Sequence, residues 1–504
     1  MSKPLLVFVH GWSVTSTSTY GELPARLRAE AARSGGPGLD VAHVHLGQYV
    51  SFRDEVRLED VARAFDRAIA QVLAGAGAGR RFACVTHSTG GPVVREWLDR
   101  FHVQPGTLDA CPMSHLVMLA PANFGSALAQ LGKGRLGAMK AWFNGVEPGQ
   151  GVLDWLELAS PESNSLNLRW INDYPALKLT ARAKPIFPFV LSGDTIDRKL
   201  YDHVNAYTGE TGGDGVVRLA AANLNARHVV LAQPSQVAGE PLPSARKRLR
   251  NLVKVSDARS APTAFKIVPG ASHSGTDLGI MGSVRDDGRP HATVDAILRC
   301  LRVADTASYE ALRQAFDAEN AQHQQTSRRV EVEKIPVLPD RVYIHDPHAM
   351  VVFRLLDESG TRVPEMNLLL TAGPNADPNQ LPEGFLTDRQ GNRRAPGNLC
   401  FFLNHAALTG GPAIVDAQGR QRRAERIPRP PYGLRLMPRQ EGKWVEHWAA
   451  EMLAATEGLL DLVAPNQTTV IDLRLTRIVR EGVFRFTSQL APRSFRKDEP
   501  GPAI

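Results

Sequence analysis

The fold of this chain is decided by the stretch Phe82-Ala83-Cys84-Val85-Thr86-His87-Ser88-Thr89-Gly90-Gly91. Its first four residues predict a buried strand, and a helix is predicted directly after the stretch, from Pro92 to Phe101. A turn between strand and helix can hold Ser88 clear of the backbone when small residues stand two positions before and two positions after it. Thr86 takes the first of these positions, where glycine is usual. We predict that the turn presents Ser88 as a nucleophile; the alternative is a structural or anion-binding turn.

The first 300 residues alternate short apolar runs with helical patterns, which is typical of a mostly parallel sheet flanked by helices. This pattern predicts an α/β domain over residues 1–303 with a doubly wound, mostly parallel sheet. Helices are predicted at Leu58–Leu73 and Thr293–Leu301. The predicted strands are Leu5–Val9, Val41–Leu46, Phe82–Val85, His115–Leu119, Pro188–Ser192 and Ala264–Val268.

A long stretch between the strands that end at Leu119 and begin at Pro188 is not needed to build the sheet. Its amphipathic segments predict a helical cap or lid at about residues 124–182. Most of its apolar side chains are expected to pack the cap onto the sheet. The candidates for contact with a substrate are Trp142 and Trp155.

The pattern changes after residue 303. Residues 304–329 are polar with a helical start, and they predict a connection between domains. Residues 330–504 predict a β-rich, sandwich-like accessory domain, interrupted by a helix at Val445–Leu462. The strands predicted in it are Arg341–Ile344, Met350–Leu356, Asn367–Leu370, Leu399–Leu403, Thr469–Leu475 and Val483–Thr487.

Two backbone N–H groups are candidates for an oxyanion hole. His10-Gly11-Trp12 directly follows the first predicted strand, where hydrolases of this fold place one such donor. The N–H groups of Trp12 and Thr89 together would stabilise a tetrahedral oxyanion. The alternative for His10-Gly11-Trp12 is an ordinary turn.

The order of polar loops along the chain predicts a catalytic triad. This fold needs an acid and then a histidine downstream of its serine. The Gly-rich loop Thr211–Val217 presents Asp214, and the loop Val268–Gly275, just past a strand, presents His273. In this arrangement Ser88 attacks, His273 accepts and returns the proton, and Asp214 orients the imidazole. Alternatives remain open: Asp194 for the acid, and His228 or His291 for the base.

These motifs resemble the lipase branch of the α/β-hydrolase superfamily, including phospholipases and the lecithin-cholesterol acyltransferase group. The resemblance covers about residues 1–300. It implies Ser88 as nucleophile, Asp214 as acid, His273 as base, and Trp12 and Thr89 as oxyanion donors. The stretches that carry it are Val9–Trp12, Thr86–Gly91, Gly213–Val217 and Ser272-His273.

Composition excludes several classes of protein. A net charge of +7 over 504 residues is modest, so nucleic acid is not expected as a partner. The four cysteines are widely separated, so neither a disulfide framework nor a zinc site is predicted, and we expect no metal and no cofactor. No apolar run approaches the roughly 20 residues of a membrane span, and no signal peptide is recognisable. We therefore expect a cytoplasmic protein or one exported by a signal-independent route.

The function predicted from these residues is hydrolysis of a carboxylic ester by a lipase, phospholipase or esterase, with a lipid or another ester as substrate. The alternatives are an acyltransferase or an amidase with the same triad, or a binding protein without activity. Delivery as an antibacterial lipase effector is a weaker analogy. Contact with an anionic membrane surface is a further hypothesis, and it rests on two basic runs: Arg246, Lys247, Arg248 and Arg250, and Arg420, Arg422, Arg423, Arg426 and Arg429.

Overall fold

Short apolar runs form most of the strands in the computed structural model of the chain. The structure describes residues 3–10, 19–33, 38–51, 53–77, 79–131, 149–197, 211–235, 237, 240–326, 330–333, 341–363, 366–438, 445–452 and 458–479. The strands are β1 (Leu5–His10), β2 (Asp40–His45), β3 (Phe82–His87), β4 (Met113–Leu119), β5 (Phe187–Gly193), β6 (Ala226–Ala232), β7 (Val253–Arg259), β8 (Ala264–Val268), β9 (Val330–Glu333), β10 (Arg341–Ile344), β11 (His348–Asp357), β12 (Met366–Ala372), β13 (Leu386–Gly391), β14 (Asn398–Asn404), β15 (Ile414–Val415), β16 (Gln421–Arg423), β17 (Tyr432–Pro438), β18 (Val445–Glu446), β19 (Ala450–Met452), β20 (Thr468–Leu475) and β21 (Ile478–Val479).

Helices connect and cover these strands. The α-helices are α1 (Leu23–Arg33), α2 (Leu58–Ala76), α3 (Gly90–Leu98), α4 (Gln150–Leu156), α5 (Pro161–Asn172), α6 (Tyr174–Leu177), α7 (Leu219–Ala222), α8 (Leu242–Leu249), α9 (Ala292–Leu301), α10 (Thr306–Thr326), α11 (His405–Thr409) and α12 (Leu459–Leu462). A π-helical turn, Asp99–Val103, extends α3, and short 3-10 turns occur at Leu46–Gln48, Leu108–Ala110, Ala127–Leu131, Leu179–Ala181 and Pro378–Gln380. None of the helices in the described ranges has the length and apolar character that crossing a membrane requires.

The central sheet has six strands in the order β2-β1-β3-β4-β5-β8, and every neighbouring pair is parallel. This confirms the predicted α/β class, and the strands lie where the apolar runs predicted them. The chain reverses direction across the sheet between β1 and β3. In open α/β sheets, ligands bind outside the carboxyl ends of the strands at such a point. Ser88 directly follows β3 at this edge.

The two faces of the central sheet are covered by different layers, because alternate strand residues point to opposite faces. Residues such as Val7 and Cys84 share one core with α2, α3, the cap helices α4 and α5, and part of a second sheet. Phe8 and Val85 share the opposite core with α1, α9 and α10. Both faces are therefore dry, which explains why β1 is buried at every position.

Helix α10 occupies most of the stretch predicted as a connection between domains. Tyr309 and Phe316 are buried in the core that α10 shares with the central sheet. The Tyr309 hydroxyl donates to the carbonyl of Pro188 (2.8 Å). The Asn320 side chain accepts from the N–H of Ile267 (2.8 Å) and donates to the carbonyl of Phe265 (2.7 Å), both on β8. The helix is therefore part of the α/β layer rather than a connection alone.

A β-rich region confirms the prediction for the C-terminal half. Its main sheet is mixed, in the order β13-β14-β11-β20-β6-β7, and a smaller sheet has the order β12-β17-β19. Side chains from the two sheets, for example Phe353 and Leu434, enclose one core. The opposite face of the main sheet, which includes Val352 and Phe402, packs on the α/β half.

The predicted boundary at residue 303 does not separate the two sheets. β6 and β7 precede it in sequence, yet β6 pairs with β20 and β7 pairs with β6 in the C-terminal sheet. Neither strand is among those predicted above, and β7 is a largely exposed edge strand without a strong apolar pattern. The division into domains at this residue stays a prediction, because two strands that precede residue 303 belong to the C-terminal sheet.

The helix predicted at Val445–Leu462 is wrong. The described residues there form strands β18 and β19 and only one helical turn, α12. β19 pairs with β17 through Ala450–Met452, so the local apolar spacing is overridden by a long-range partner. The strand predicted at Val483–Thr487 lies outside the described residues.

Candidate active site

Ser88 lies on a strained turn between β3 and α3. Its φ is +53°, a value that L residues other than glycine rarely adopt and that the sharp serine turn of this fold requires. The N–H of Ser88 donates to the carbonyl of Leu119 on β4 (3.0 Å), which fixes the turn on the sheet. The side chain of Ser88 is thereby held at the carboxyl edge of the sheet.

Glycine at position 90 makes room for Thr86, the residue that departs from the usual pattern. A Cβ atom at position 90 would lie 3.3 Å from the Cβ of Thr86, and one at position 91 would lie 2.8 Å from the Cβ of Pro121. Thr86 itself is fully buried. The turn therefore tolerates a larger residue before the serine because Gly90 has no side chain beside Thr86, while Gly91 leaves space for Pro121.

Ser88, His273 and Asp214 form one hydrogen-bonded chain. Nε2 of His273 lies 3.0 Å from Oγ of Ser88, and Nδ1 of His273 lies 2.9 Å from Oδ2 of Asp214. All three side chains are buried, with exposed fractions of 8%, 1% and 0% for Ser88, His273 and Asp214. Because a carboxylate only accepts, the proton on the ring belongs at Nδ1, which leaves the lone pair of Nε2 facing the serine hydroxyl.

The acid loop holds Asp214 through its own backbone. Oδ1 of Asp214 accepts from the N–H groups of Val216 (3.0 Å) and Val217 (2.7 Å). The carbonyl of Asp214 accepts from the N–H of His273 (3.0 Å), so the two loops are also joined through the main chain. These bonds stabilise a charged carboxylate in a dry site and leave Oδ2 for the imidazole.

The C-terminal sheet supports this loop. Gly212 has a φ of +96°, and a Cβ atom there would lie 2.8 Å from Nδ1 of His348 on β11. The Arg218 guanidinium lies 4.2 Å from the centre of the Phe402 ring on β14, and it is paired with Asp388 on β13. Removing the second sheet would therefore expose the loop that carries Asp214.

The alternative acid and the two alternative bases named from the sequence have hydrogen-bond partners outside the triad. Asp194 accepts from the N–H of Gly270 (3.0 Å) and from Nε2 of His323 (2.6 Å). Burial favours a raised pKa for Asp194, but these hydrogen bonds hold its pKa below the ordinary value. His228 contacts Asn172 and Asp472, and His291 caps helix α9. Of the candidates named from the sequence that lie in the described ranges, His273 and Asp214 are therefore the two that the fold brings together with Ser88.

The predicted oxyanion donors and the two tryptophans predicted to contact substrate complete the predicted site. The N–H of Thr89 follows Ser88 directly, and within the described ranges it donates to no acceptor. Trp12 and Trp142 lie outside the described residues. Trp155, in the cap helix α4, is 4% exposed and packs into the core that the cap shares with the central sheet. It also lines a cavity of about 680 Å³ between α2 and the cap, whose lining among the described residues includes neither Ser88 nor His273. Its contact with substrate stays a prediction.

His87 is a neighbour of the triad that sequence reasoning did not single out. Its Nε2 lies 2.9 Å from the carbonyl of His273, and the two rings are 4.7 Å apart. Because a carbonyl only accepts, Nε2 of His87 is the nitrogen that carries the proton. Burial, with a smaller effect of His273, lowers the pKa of His87 to about 3. His87 is therefore neutral at physiological pH and adds no positive charge beside the base.

We expect the replacement His87→Gln to flatten the dependence of stability on pH. In wild type the unfolded chain gains a proton near pH 6.5, whereas folded His87 stays neutral down to about pH 3. Stability from His87 is thus fully present above pH 6.5 and is lost as the pH falls towards 3, by up to about 1.4 kcal/mol per pH unit. Urea unfolding of both proteins at pH 7, 6 and 5 measures the difference; parallel curves would contradict the prediction.

Comparison with known proteins gives one strong likeness. Phospholipase PlaB from Legionella pneumophila in complex with thio-NAD is 38% identical, with 98% of each chain covered and a TM-score of 0.80. A second structure of the same phospholipase is 37% identical, with 99% of each chain covered and a TM-score of 0.80. The mature lipase BlEst2 from Bacillus licheniformis is 20% identical over 44% of this chain and 79% of its own, and its TM-score of 0.31 supports no argument. No family model and no curated protein matches the chain.

Proposed function

The chain belongs to the α/β-hydrolase family of phospholipase PlaB and is an ester-hydrolysing enzyme, and from this premise we propose that it hydrolyses phospholipid carboxylic esters through Ser88, His273 and Asp214. The observation that carries the assignment is the unbroken chain of hydrogen bonds of 3.0 and 2.9 Å from the serine hydroxyl to the carboxylate. Nucleophile, base and orienting acid in this geometry are the signature of acyl transfer through a covalent intermediate.

In the proposed mechanism, Oγ of Ser88 attacks the ester carbonyl while Nε2 of His273 takes the hydroxyl proton. The imidazolium is stabilised by Asp214, and the proton is returned to the leaving alcohol. The acyl group is then bonded to Ser88, and a water molecule activated by His273 releases it as a carboxylic acid. The N–H groups of Thr89 and Trp12 are proposed to stabilise the oxyanion, where one donor is typically worth about 100- to 1,000-fold in kcat.

A phospholipid substrate implies contact with a lipid surface, and here the two basic runs differ. Arg420 and Arg422 both pair with the buried carboxylate of Asp416. Arg423 and Arg426 pair in the same way with Asp346. The positive charges of these four arginines are therefore already paired with buried carboxylates, which weakens their attraction to an anionic membrane. In the other run Arg248 pairs with Glu240 and Arg250 pairs with Glu451, which leaves Arg246 and Lys247 as the candidates for contact with anionic headgroups.

Hydrolysis of vesicles tests the proposed substrate. We expect wild-type enzyme to release fatty acid from phosphatidylglycerol or phosphatidylcholine vesicles, and to cleave p-nitrophenyl esters of medium or long chains. Chromatography of the products identifies free fatty acid, and an added alcohol reports any transfer of the acyl group to an acceptor other than water. Turnover confined to short soluble esters would reject a phospholipase, and faster cleavage of a matched amide would favour the amidase alternative.

The thio-NAD bound to PlaB supports a second proposal, which departs from the expectation of no cofactor. We propose that this chain also binds a nicotinamide dinucleotide. Titration of the full chain with NAD⁺ and NADH by calorimetry, with AMP as the matched control, tests it. Saturable binding of the dinucleotide supports the proposal, and the absence of heat with either form rejects it.

A further inference from the structure

Three histidines meet at the carboxyl ends of the first two strands, beside the edge that carries Ser88. His10 is the last residue of β1, and the parallel register places it opposite His45 on β2. His43 stands two residues before His45, so both side chains point to the same face of the sheet. The register of β1 and β2 thus brings His10 beside two imidazoles that lie more than 30 residues further along the chain.

The spacing of the three rings suits a metal ion. One nitrogen from each ring can be chosen so that all three lie within 4.8 Å of one another. Nε2 of His10 is 3.0 Å from Nδ1 of His43, and the rings of His10 and His45 are 4.0 Å apart. Nitrogens bound at about 2.0–2.1 Å to a tetrahedral zinc ion lie about 3.3 Å apart. His43 is exposed and His45 is half-buried, so small rotations of these two side chains would close the remaining gap.

His10 supplies a second, independent observation. Its side chain is only 1% exposed, and its Nδ1 has no hydrogen-bond partner in the described part of the chain. A buried polar atom without a partner in a native fold calls for a water or an ion. Because one ring binds an ion through one nitrogen, either Nδ1 is the ligand or Nδ1 needs a water beside a ligand at Nε2. Burial, and then the neighbouring His45 and His43, lowers the pKa of His10 to about 3.

We propose that His10, His43 and His45 bind one divalent transition-metal ion of the zinc class. Imidazole favours zinc, nickel and copper, whereas magnesium and calcium prefer oxygen ligands, and the cluster contains no carboxylate among the described residues. Three protein ligands leave one position for water or another ligand. Arg28, whose charge also lowers the pKa of His43, is the positive group nearby that opposes the cation. The bound ion would hold the carboxyl ends of β1 and β2 together.

Zinc titration of the full chain without an affinity tag tests this proposal. After treatment with a chelator, calorimetry with Zn²⁺ alone should show one saturable site per chain, and Mg²⁺ should not compete. His43→Ala and His45→Ala should each weaken the site by at least about tenfold, a loss that even an outer-shell partner can produce. His405→Ala, a half-buried histidine in α11 beside the second sheet, is the matched control and should bind as wild type does.

Thermal unfolding provides a second readout that needs no substrate, so its result is independent of the proposed function. Zn²⁺ should raise the Tm of wild type and of His405→Ala, because a ligand that binds only the folded state stabilises it. It should raise the Tm of His43→Ala much less. Because His43 is exposed, this variant is expected to fold. Equal binding by wild type, His43→Ala and His45→Ala, or no saturable binding at all, would overturn the proposal.

Discussion

The replacement Ser88→Ala should lower kcat for ester hydrolysis by as much as about a millionfold, the loss that removal of a triad serine produces in a serine protease. The reason is the position of Oγ, 3.0 Å from Nε2 of His273, because among the described residues this is the hydroxyl that the base contacts. Release of fatty acid at saturating substrate measures the effect. A serine-directed phosphonate provides a second measurement, since it should add one mass increment to wild type at Ser88 and none to the variant.

Ser192→Ala is the matched control for this experiment. Ser192 lies near the carboxyl end of β5, is fully buried, and within the described residues its Oγ has no hydrogen-bond partner. The same chemical change on the same sheet should therefore leave kcat close to the wild-type value. Full activity of Ser88→Ala, or an equal loss in Ser192→Ala, would reject Ser88 as the nucleophile.

Ser88→Gly separates the role of the hydroxyl from that of the backbone. The φ of +53° strains a serine but not a glycine, so glycine should recover up to about 1 kcal/mol of stability. Loss of the hydrogen bond to His273 offsets part of this gain, by about 1 kcal/mol. The variant should thus be as inactive as Ser88→Ala while its free energy of unfolding, measured in urea, stays near that of wild type.

Asp214→Asn should lower kcat by about 10⁴-fold, as removal of the carboxylate does in a serine protease triad. Asparagine can keep the two backbone hydrogen bonds to Val216 and Val217 through its carbonyl oxygen. Its amide then faces Nδ1 of His273 as a donor, which favours the tautomer whose Nε2 carries a proton. That tautomer cannot accept the proton of Ser88.

Asp194→Asn is the matched control, because Asp194 is the other acid that the sequence allowed. Its partners are Gly270 and His323 rather than His273, so we expect kcat close to the wild-type value and at most a loss of stability. Steady-state kinetics of both variants, with circular dichroism to confirm folding, decides between the two acids. A larger loss at Asp194, or equal losses, would contradict the choice of Asp214.

The sequence by itself determined the features that depend on neighbours along the chain. The strand before Ser88, the glycines after it and the strand before His273 are all local patterns, and the parallel sheet they predicted is confirmed. The periodicity of apolar residues sets these elements, because each residue of a strand or helix must face either a core or water. The sequence also shows that threonine replaces the usual glycine two residues before Ser88. The reason that Thr86 fits there is its packing beside Gly90, which the sequence alone does not show.

Contacts between residues that are distant in sequence follow only from the folded structure. Asp214 and Asp194 both follow plausible elements, and their partners in the folded chain distinguish them: Asp214 contacts His273, whereas Asp194 contacts Gly270 and His323. β6 pairs with β20, more than 200 residues further along the chain, and β7 enters the same sheet by pairing with β6. His10 meets His45 through the register of β1 and β2. Local patterns carry no information about such pairings, because they are selected by burial and hydrogen bonding in the assembled fold.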